Sequence, residues 1–79
     1  GDISIYPNPL FNILNFQGFT SNENGKLNIY SLSGQMVKQV ELEITSGKAS
    51  VDLSTLPSGV YLIRSNSLDD NKSFKIVKE

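Results

Sequence analysis

The stretch Leu56-Pro57-Ser58-Gly59-Val60-Tyr61-Leu62-Ile63-Arg64 decides the fold of this chain. Its proline and glycine predict a turn, and the β-branched and aromatic residues that follow favour a strand. Side chains alternate along a strand, so Val60 and Leu62 share one face while Tyr61 and Ile63 share the other. Because both faces are apolar, the sequence predicts a central strand that is covered on both sides and does not lie at a sheet edge.

A core position in this strand should matter for stability, because a chain of 79 residues buries only a thin core. Replacement of Leu62 by alanine is therefore expected to lower the free energy of unfolding by about 2–5 kcal/mol. An unchanged melting temperature would remove Leu62 from the core.

Six further segments show the strand pattern, with turn residues about every 8–12 positions. A phase slip near Ile13-Leu14 predicts a β-bulge, Ser33-Gly34 predicts a two-residue hairpin, and Pro7-Asn8-Pro9 predicts a stiff, extended corner. The segments are 3–6, 11–16, 26–32, 35–44, 48–53 and 72–77. With the central strand they predict an all-β fold, a seven-stranded antiparallel β-sandwich of immunoglobulin-like kind, and a small open barrel is the alternative.

The alternation of apolar and polar residues also predicts which side chains enter the core. Along 40–44 one strand face is apolar and the other carries Glu41 and Glu43, so one face should be core and the other solvent. Leu56 is expected to close one end of the core. The other residues expected to point inward are Ala49, Val51, Leu53, Phe74 and Ile76.

The composition excludes several classes of function. The net charge is −1 and the 7 Lys and Arg residues are scattered, which argues against a nucleic-acid partner. No apolar run approaches the length of a membrane span, and no ordinary signal peptide is present. Cysteine and histidine are both absent, which removes disulfides, thiolate nucleophiles and the commonest general base and metal ligand. The chain begins without methionine, so it is expected to be a piece of a longer protein.

Two acidic clusters are candidates for chemistry. Asp69-Asp70-Asn71 offers oxygen ligands for calcium, but a complete site needs about six to eight ligands, so a hairpin tip is the favoured interpretation. Glu41 and Glu43 form a carboxylate pair of the kind used in glycoside hydrolysis, but two residues apart on an exposed strand they have no cleft. The sequence therefore predicts neither a metal site nor a catalytic site.

Two further sets of residues have a binding and a structural interpretation. Lys72, Lys75 and Lys78 are either a basic docking strip or lysines that keep a surface strand soluble. The three tyrosines, Tyr6, Tyr30 and Tyr61, are either a sugar-stacking platform or packing residues, and packing is the favoured use.

Three pieces of the sequence together resemble a known family. They are Tyr6-Pro7-Asn8-Pro9, the central Ile29-Tyr30-Ser31-Leu32-Ser33-Gly34-Gln35-Met36-Val37, and the stretch 56–64 followed by Lys75-Ile76-Val77-Lys78. In order and spacing they are similar to the type A C-terminal sorting domain of the type IX (Por) secretion system of Bacteroidetes. The chain departs from that family at Ser31, where aspartate is usual, and at Gln35, where arginine is frequent.

The resemblance implies a function without catalysis and without a cofactor. Residues 1–79 would be a single sorting domain at the C-terminus of a larger secreted protein. It would cross the periplasm, be recognised by the outer-membrane translocon and be removed by a sortase. The passenger, N-terminal to it, would reach the cell surface or the medium. No nucleic acid and no membrane insertion are implied.

The resemblance also implies which residues are recognised. The C-terminal strand is expected to accept a partner strand by β-augmentation if it lies at a sheet edge. A carbohydrate-binding or adhesive module and a passive spacer remain as alternatives. The recognition residues implied are Tyr6, Pro7, Asn8, Pro9, Gly34, Pro57, Gly59, Tyr61, Lys75 and Lys78.

Overall fold

The computed structural model describes residues 3–20, 24–66 and 71–79. The regular structure within those three ranges is entirely β-strand. The strands are β1 (Ser4–Tyr6), β2 (Ile13–Gln17), β3 (Gly25–Ser31), β4 (Met36–Leu42), β5 (Lys48–Asp52), β6 (Gly59–Asn66) and β7 (Asn71–Lys78). The expected number of strands is therefore confirmed.

The strands form two antiparallel sheets. One sheet has three strands in the order β1-β2-β5, and the other has four in the order β4-β3-β6-β7. Strand β6, which contains the apolar block predicted to be central, pairs with β3 on one side and with β7 on the other. The prediction that this strand is not an edge strand is confirmed.

One hydrophobic core receives side chains from both sheets. Phe16 of the three-stranded sheet is fully buried, and its ring centroid lies 6.5 Å from that of Phe74 in the four-stranded sheet, at an interplanar angle of 69°. Such an edge-to-face contact stabilises beyond the area it buries. The inward positions predicted by alternation are confirmed as buried, or for Phe74 as half-buried against the core: Ala49, Val51, Leu53, Leu56, Phe74 and Ile76.

Strand β6 is covered on one face only, which corrects the first prediction. Tyr61 and Ile63 are buried, whereas Leu62 on the opposite face is 40% exposed and Val60 is half-buried. The expected cost of 2–5 kcal/mol for Leu62→Ala was therefore wrong, because that range applies to buried side chains. A cost of about 1 kcal/mol or less now follows from the exposure of the side chain.

Strand β2 also differs from its prediction. The predicted phase slip is absent: β2 begins at Ile13 and pairs with β5 without a register shift. Leu14 and Phe16 are fully buried, while Phe11 is 67% exposed and Ile13 is 43% exposed. The residues before Leu14 are apolar but outside the core, and this produced the apparent change of phase.

The β3–β4 hairpin differs from prediction by one residue. The Gly34 N–H donates to the Ser31 carbonyl at 2.9 Å and the Ser31 N–H donates to the Gln35 carbonyl at 2.9 Å, so the loop has three residues. Gly34 has φ 92°, the left-handed conformation that closes such a loop with a bulge. A second register shift in this hairpin lies between Ile29 and Tyr30.

Candidate recognition surface

The proline-rich segment between β1 and β2 lies along the outer edge of β7, in the other sheet. The peptide bonds Tyr6–Pro7 and Asn8–Pro9 are both cis. The Asn8 side chain then substitutes for a strand: its Nδ2 donates to the Lys75 carbonyl at 3.1 Å, and its Oδ1 accepts from the Val77 N–H at 2.9 Å. One side chain thus satisfies two backbone groups that an edge strand would otherwise leave unpaired.

Leu10 continues the same contact with its backbone. Its N–H donates to the Val77 carbonyl at 2.9 Å, and its carbonyl accepts from the Glu79 N–H at 2.8 Å. Its side chain is fully buried, which anchors the segment in the core. Residues 8–10 are called the edge segment below.

The edge segment restricts the expected β-augmentation of β7. Over residues 75–79, the outward carbonyls of Lys75 and Val77 and the outward N–H groups of Val77 and Glu79 already have partners. A partner strand can pair with this stretch only after it displaces the edge segment. The polypeptide itself therefore occupies the edge that strand addition would need.

Tyr61 holds the turn that precedes β6. Its hydroxyl donates to the Pro57 carbonyl, four residues upstream, at 2.7 Å. In this respect the contact resembles a tyrosine corner, in which a tyrosine near the start of a strand bonds back to the backbone a few residues upstream. The sequence signal for this contact is the spacing Pro57-x-Gly59-x-Tyr61, which the alternation of apolar and polar residues does not report.

Gly59 lies beneath the ring of Tyr61 and opposite Lys78 on β7. A Cβ at Gly59 would meet the Tyr61 ring at 3.8 Å, and the φ of 156° at Gly59 is one that other residues rarely adopt.

Lys75 and Lys78 differ in accessibility. Lys75 is exposed, whereas Lys78 is 6% exposed and its Nζ donates to the Glu79 carbonyl at 3.2 Å. Of this pair, only the Lys75 side chain is exposed to solvent.

The structure brings nearly all of the residues implied by the resemblance to one end of the four-stranded sheet. That end is where β6 begins and β7 finishes, and the edge segment lies against it. The β3–β4 loop that contains Gly34 is there too, because Ser31 pairs with Tyr61. Tyr6 is 45% exposed at the end of β1, immediately before Pro7. Motifs that are separated by up to about seventy positions in the sequence therefore form one surface.

The other candidate residues for chemistry are the two acidic clusters. Glu41 and Glu43 are both exposed, which confirms the prediction of a solvated strand face. Asp69 and Asp70 lie outside the described residues, and within the described ones no group of three acidic, cysteine or histidine side chains is placed to hold a metal ion. In the same part of the chain, no helix is long and apolar enough to cross a membrane.

The three tyrosines do not form a common platform. Tyr61 is buried in the corner, Tyr30 is half-buried on the outer face of the four-stranded sheet, and Tyr6 belongs to the three-stranded sheet. The packing interpretation is confirmed for Tyr61. A flat sugar-stacking surface made of all three rings is excluded.

Comparison with known families identifies the class of this domain. The chain matches the family described as "Secretion system C-terminal sorting domain" over residues 4–79, which is nearly its whole length. No curated protein matches the chain in sequence. The chain belongs to this family of sorting domains, which are the C-terminal sorting signals of the type IX secretion system. Proteins with this signal are secreted to the cell surface or the medium.

Proposed function

We propose that the type IX machinery recognises the end of the four-stranded sheet formed by the edge segment, the tyrosine corner and the last residues of β7. The observation that carries this proposal is the double hydrogen bond from Asn8 to Lys75 and Val77, since it fixes the first motif against the last. A signal carried by many passengers needs a shape that does not depend on the passenger. Prolines and a buried tyrosine contact provide such a shape.

The domain supports this role as an immunoglobulin-like β-sandwich. Two observations favour that architecture: two antiparallel sheets share one core, and Tyr61 forms the corner contact with Pro57. The edge segment and the β4–β5 connection link the sheets on their two sides. Such a scaffold holds the recognition surface rigid without the help of a ligand.

The proposed sequence of events gives the domain no catalytic part. Residues 1–79 form one domain at the C-terminus of a longer protein, with the passenger N-terminal to it. The domain folds in the periplasm, the outer-membrane translocon binds it, and a sortase cleaves the chain before it. The passenger then remains at the cell surface or enters the medium. A carbohydrate-binding module is not favoured, because the family is a secretion signal.

A fusion tests the proposal. The domain is attached through a short linker to a fluorescent protein with an ordinary signal peptide, and is produced in Bacteroidetes hosts with and without a working type IX system. We expect fluorescence at the surface or in the medium of the competent host only, with the domain removed. Retention in the periplasm of both hosts would contradict the proposed function, and equal export from both would leave the domain as a spacer.

Two variants of the fusion test the surface itself. Pro9→Ala and Pro57→Ala alter exposed residues of the proposed recognition surface, and Pro57→Ala keeps the carbonyl that Tyr61 uses. We expect both to lower export while the purified domains stay folded. Lys48→Gln, an exposed change on β5 in the other sheet, should export like the unaltered fusion. Equal export by all three variants would place recognition elsewhere on the domain.

A further inference from the structure

The outer face of the four-stranded sheet carries a row of three apolar or aromatic side chains, followed by a lysine, that the fold leaves partly uncovered. The strand registers place Met36, Tyr30, Leu62 and Lys75 directly opposite one another, one on each strand from β4 to β7. Directly opposed side chains in neighbouring strands contact one another. The row therefore forms one continuous surface across the whole sheet.

The apolar side chains of this row are more exposed than apolar side chains in a central strand usually are. Met36 is 48% exposed and Leu62 is 40% exposed. An open groove of about 490 Å³ lies over the middle of the row, and its lining is Tyr30, Gly34, Leu62, Ile63, Arg64 and Ser73. Both faces of β6 are apolar, so the sequence predicted that both would be covered. The structure covers only one of them.

The groove has cations beside it and no described carboxylate to neutralise them. Lys75 ends the row, and Arg64 lies one row away, where its Nε donates to the Ser73 hydroxyl at 3.3 Å. Among described residues, the acidic positions of this face lie away from the groove. They are Glu41, which is opposite Lys26 two rows beyond, Glu43 further along the same face, and Glu79 after β7. The charge that would complement the groove is therefore negative.

We infer that this groove is the docking site for a protein segment that inserts an apolar side chain between Tyr30 and Leu62 and places a carboxylate against Arg64 and Lys75. This inference rests on the proposed function and deepens it, since Lys75 belongs to both surfaces and the segment would belong to the type IX machinery. The segment binds the face of the sheet, and the edge of β7 stays with the edge segment.

The charges favour this occupant over a second copy of the chain. A face-to-face pair of copies would bring two sets of Arg64 and Lys75 into one interface without a carboxylate from either groove. Removing unpaired charges from water is costly. A partner with acidic residues beside an apolar anchor gains from the same cations, because complementary charges speed association and align the partner.

The test compares variants of the groove with matched variants on the three-stranded sheet, in the same fusion and hosts. Leu62→Ser changes a residue that lines the groove, and Lys75→Glu changes the cation beside it. Their controls are Ile13→Ser, since Ile13 is 43% exposed, and Lys48→Glu, since Lys48 is an exposed lysine of β5. We expect each groove variant to lower export by about tenfold, as for the loss of a central interface contact, and each control to export normally.

Further measurements keep the inference falsifiable. The melting temperature of each purified domain separates loss of docking from loss of folding, and Lys75→Glu changes a side chain without packing partners in the core. Normal export of Leu62→Ser, while the unaltered fusion is exported, would overturn the groove and leave the proposed function intact. Normal export of Lys75→Glu would overturn the groove and also remove Lys75 from the proposed recognition surface. Failure of the unaltered fusion would overturn both. A dimer in sedimentation equilibrium that Leu62→Ser dissociates would show a second copy as the occupant and overturn the inference.

Discussion

At the scale of single residues, the hydroxyl of Tyr61 connects the sequence motif to the fold. Tyr61→Phe removes the hydrogen bond to the Pro57 carbonyl but keeps the buried ring. We expect the free energy of unfolding to fall by about 1–2 kcal/mol, because a partly buried carbonyl loses its partner. Urea denaturation measures this value. Tyr30→Phe is the control, since Tyr30 lies on the outer face; an equal loss in both variants would contradict a special role for the corner.

Asp52 makes stability depend on pH in a defined direction. Its Oδ1 accepts from the Ser54 N–H at 2.9 Å, and this hydrogen bond, helped by the positive charge of Lys38, holds the pKa of the Asp52 carboxyl below its ordinary value of 3.8. The folded state therefore binds this proton less readily than the unfolded state does. The stabilisation is fully present above the ordinary pKa and is lost as the pH falls through the lowered one.

Replacement of Asp52 by asparagine tests this dependence. Asp52→Asn keeps an acceptor for the Ser54 N–H but has no charge to lose. The difference in free energy of unfolding between the unaltered domain and the variant should be constant from neutral pH to about pH 5 and shrink below about pH 4. Urea denaturation at a series of pH values measures it. A difference that grows on acidification would show that the sign is wrong.

At the scale of elements, the edge segment determines whether the outer edge of β7 is paired. Asn8→Ala leaves the Lys75 carbonyl and the Val77 N–H without a protein partner. Because Asn8 is exposed, water replaces part of the loss, and we expect a cost of about 0.5–1.5 kcal/mol. The sharper measurement is hydrogen exchange at the Val77 amide, which should become faster than that of residues paired between β6 and β7.

Asn8→Asp separates the two hydrogen bonds. The carboxylate still accepts from Val77 but cannot donate to Lys75, so exchange at Val77 should stay slow. If both variants exchange at the rate of the unaltered domain, the Asn8 side chain does not hold the edge of β7.

Local patterns predicted the strands and failed where long-range contacts decide. Alternation located Ala49, Val51 and Leu53 correctly, because these apolar residues face the core and the polar residues between them face solvent. It misplaced Leu62, because the sequence does not distinguish an apolar side chain on a solvent-exposed face from one in the core. The contact between Asn8 and Lys75 spans 67 positions, and no local signal reports it.

The residues of the candidate site could be predicted from the sequence, but their arrangement in space could not, because it depends on long-range contacts. Its residues came from a family resemblance, whereas their assembly at one end of the sheet depends on strand order. Strand order places β7 beside β6 and leaves its outer edge to the segment from the other sheet. The burial of Lys78 follows from its phase, which it shares with Ile76. Alternation predicted the inward face of β7 but not that a lysine would occupy it.

At the scale of the whole molecule, the two sheets stabilise each other through one shared hydrophobic core. The aromatic cluster joins them: Phe16 lies 6.1 Å from Phe19 and 6.5 Å from Phe74, between ring centroids. The apolar inner face of each sheet is covered only by the other sheet and the connections between them. Unfolding of one sheet should therefore expose the core of both, and the domain should unfold in one step.

Phe16→Leu tests this coupling against a control in the same part of the chain. Phe16 is fully buried, so the change should cost roughly 1–2 kcal/mol through lost volume and ring contacts. Phe11→Leu, at a position 67% exposed, should change stability by less than about 0.5 kcal/mol. Urea titration followed by NMR reports on both sheets, and signals from β2 and β6 should shift to the same lower midpoint in Phe16→Leu. Separate midpoints for the two sheets would show that the core does not couple them, and a surface built from both could then not be held rigid by the fold alone.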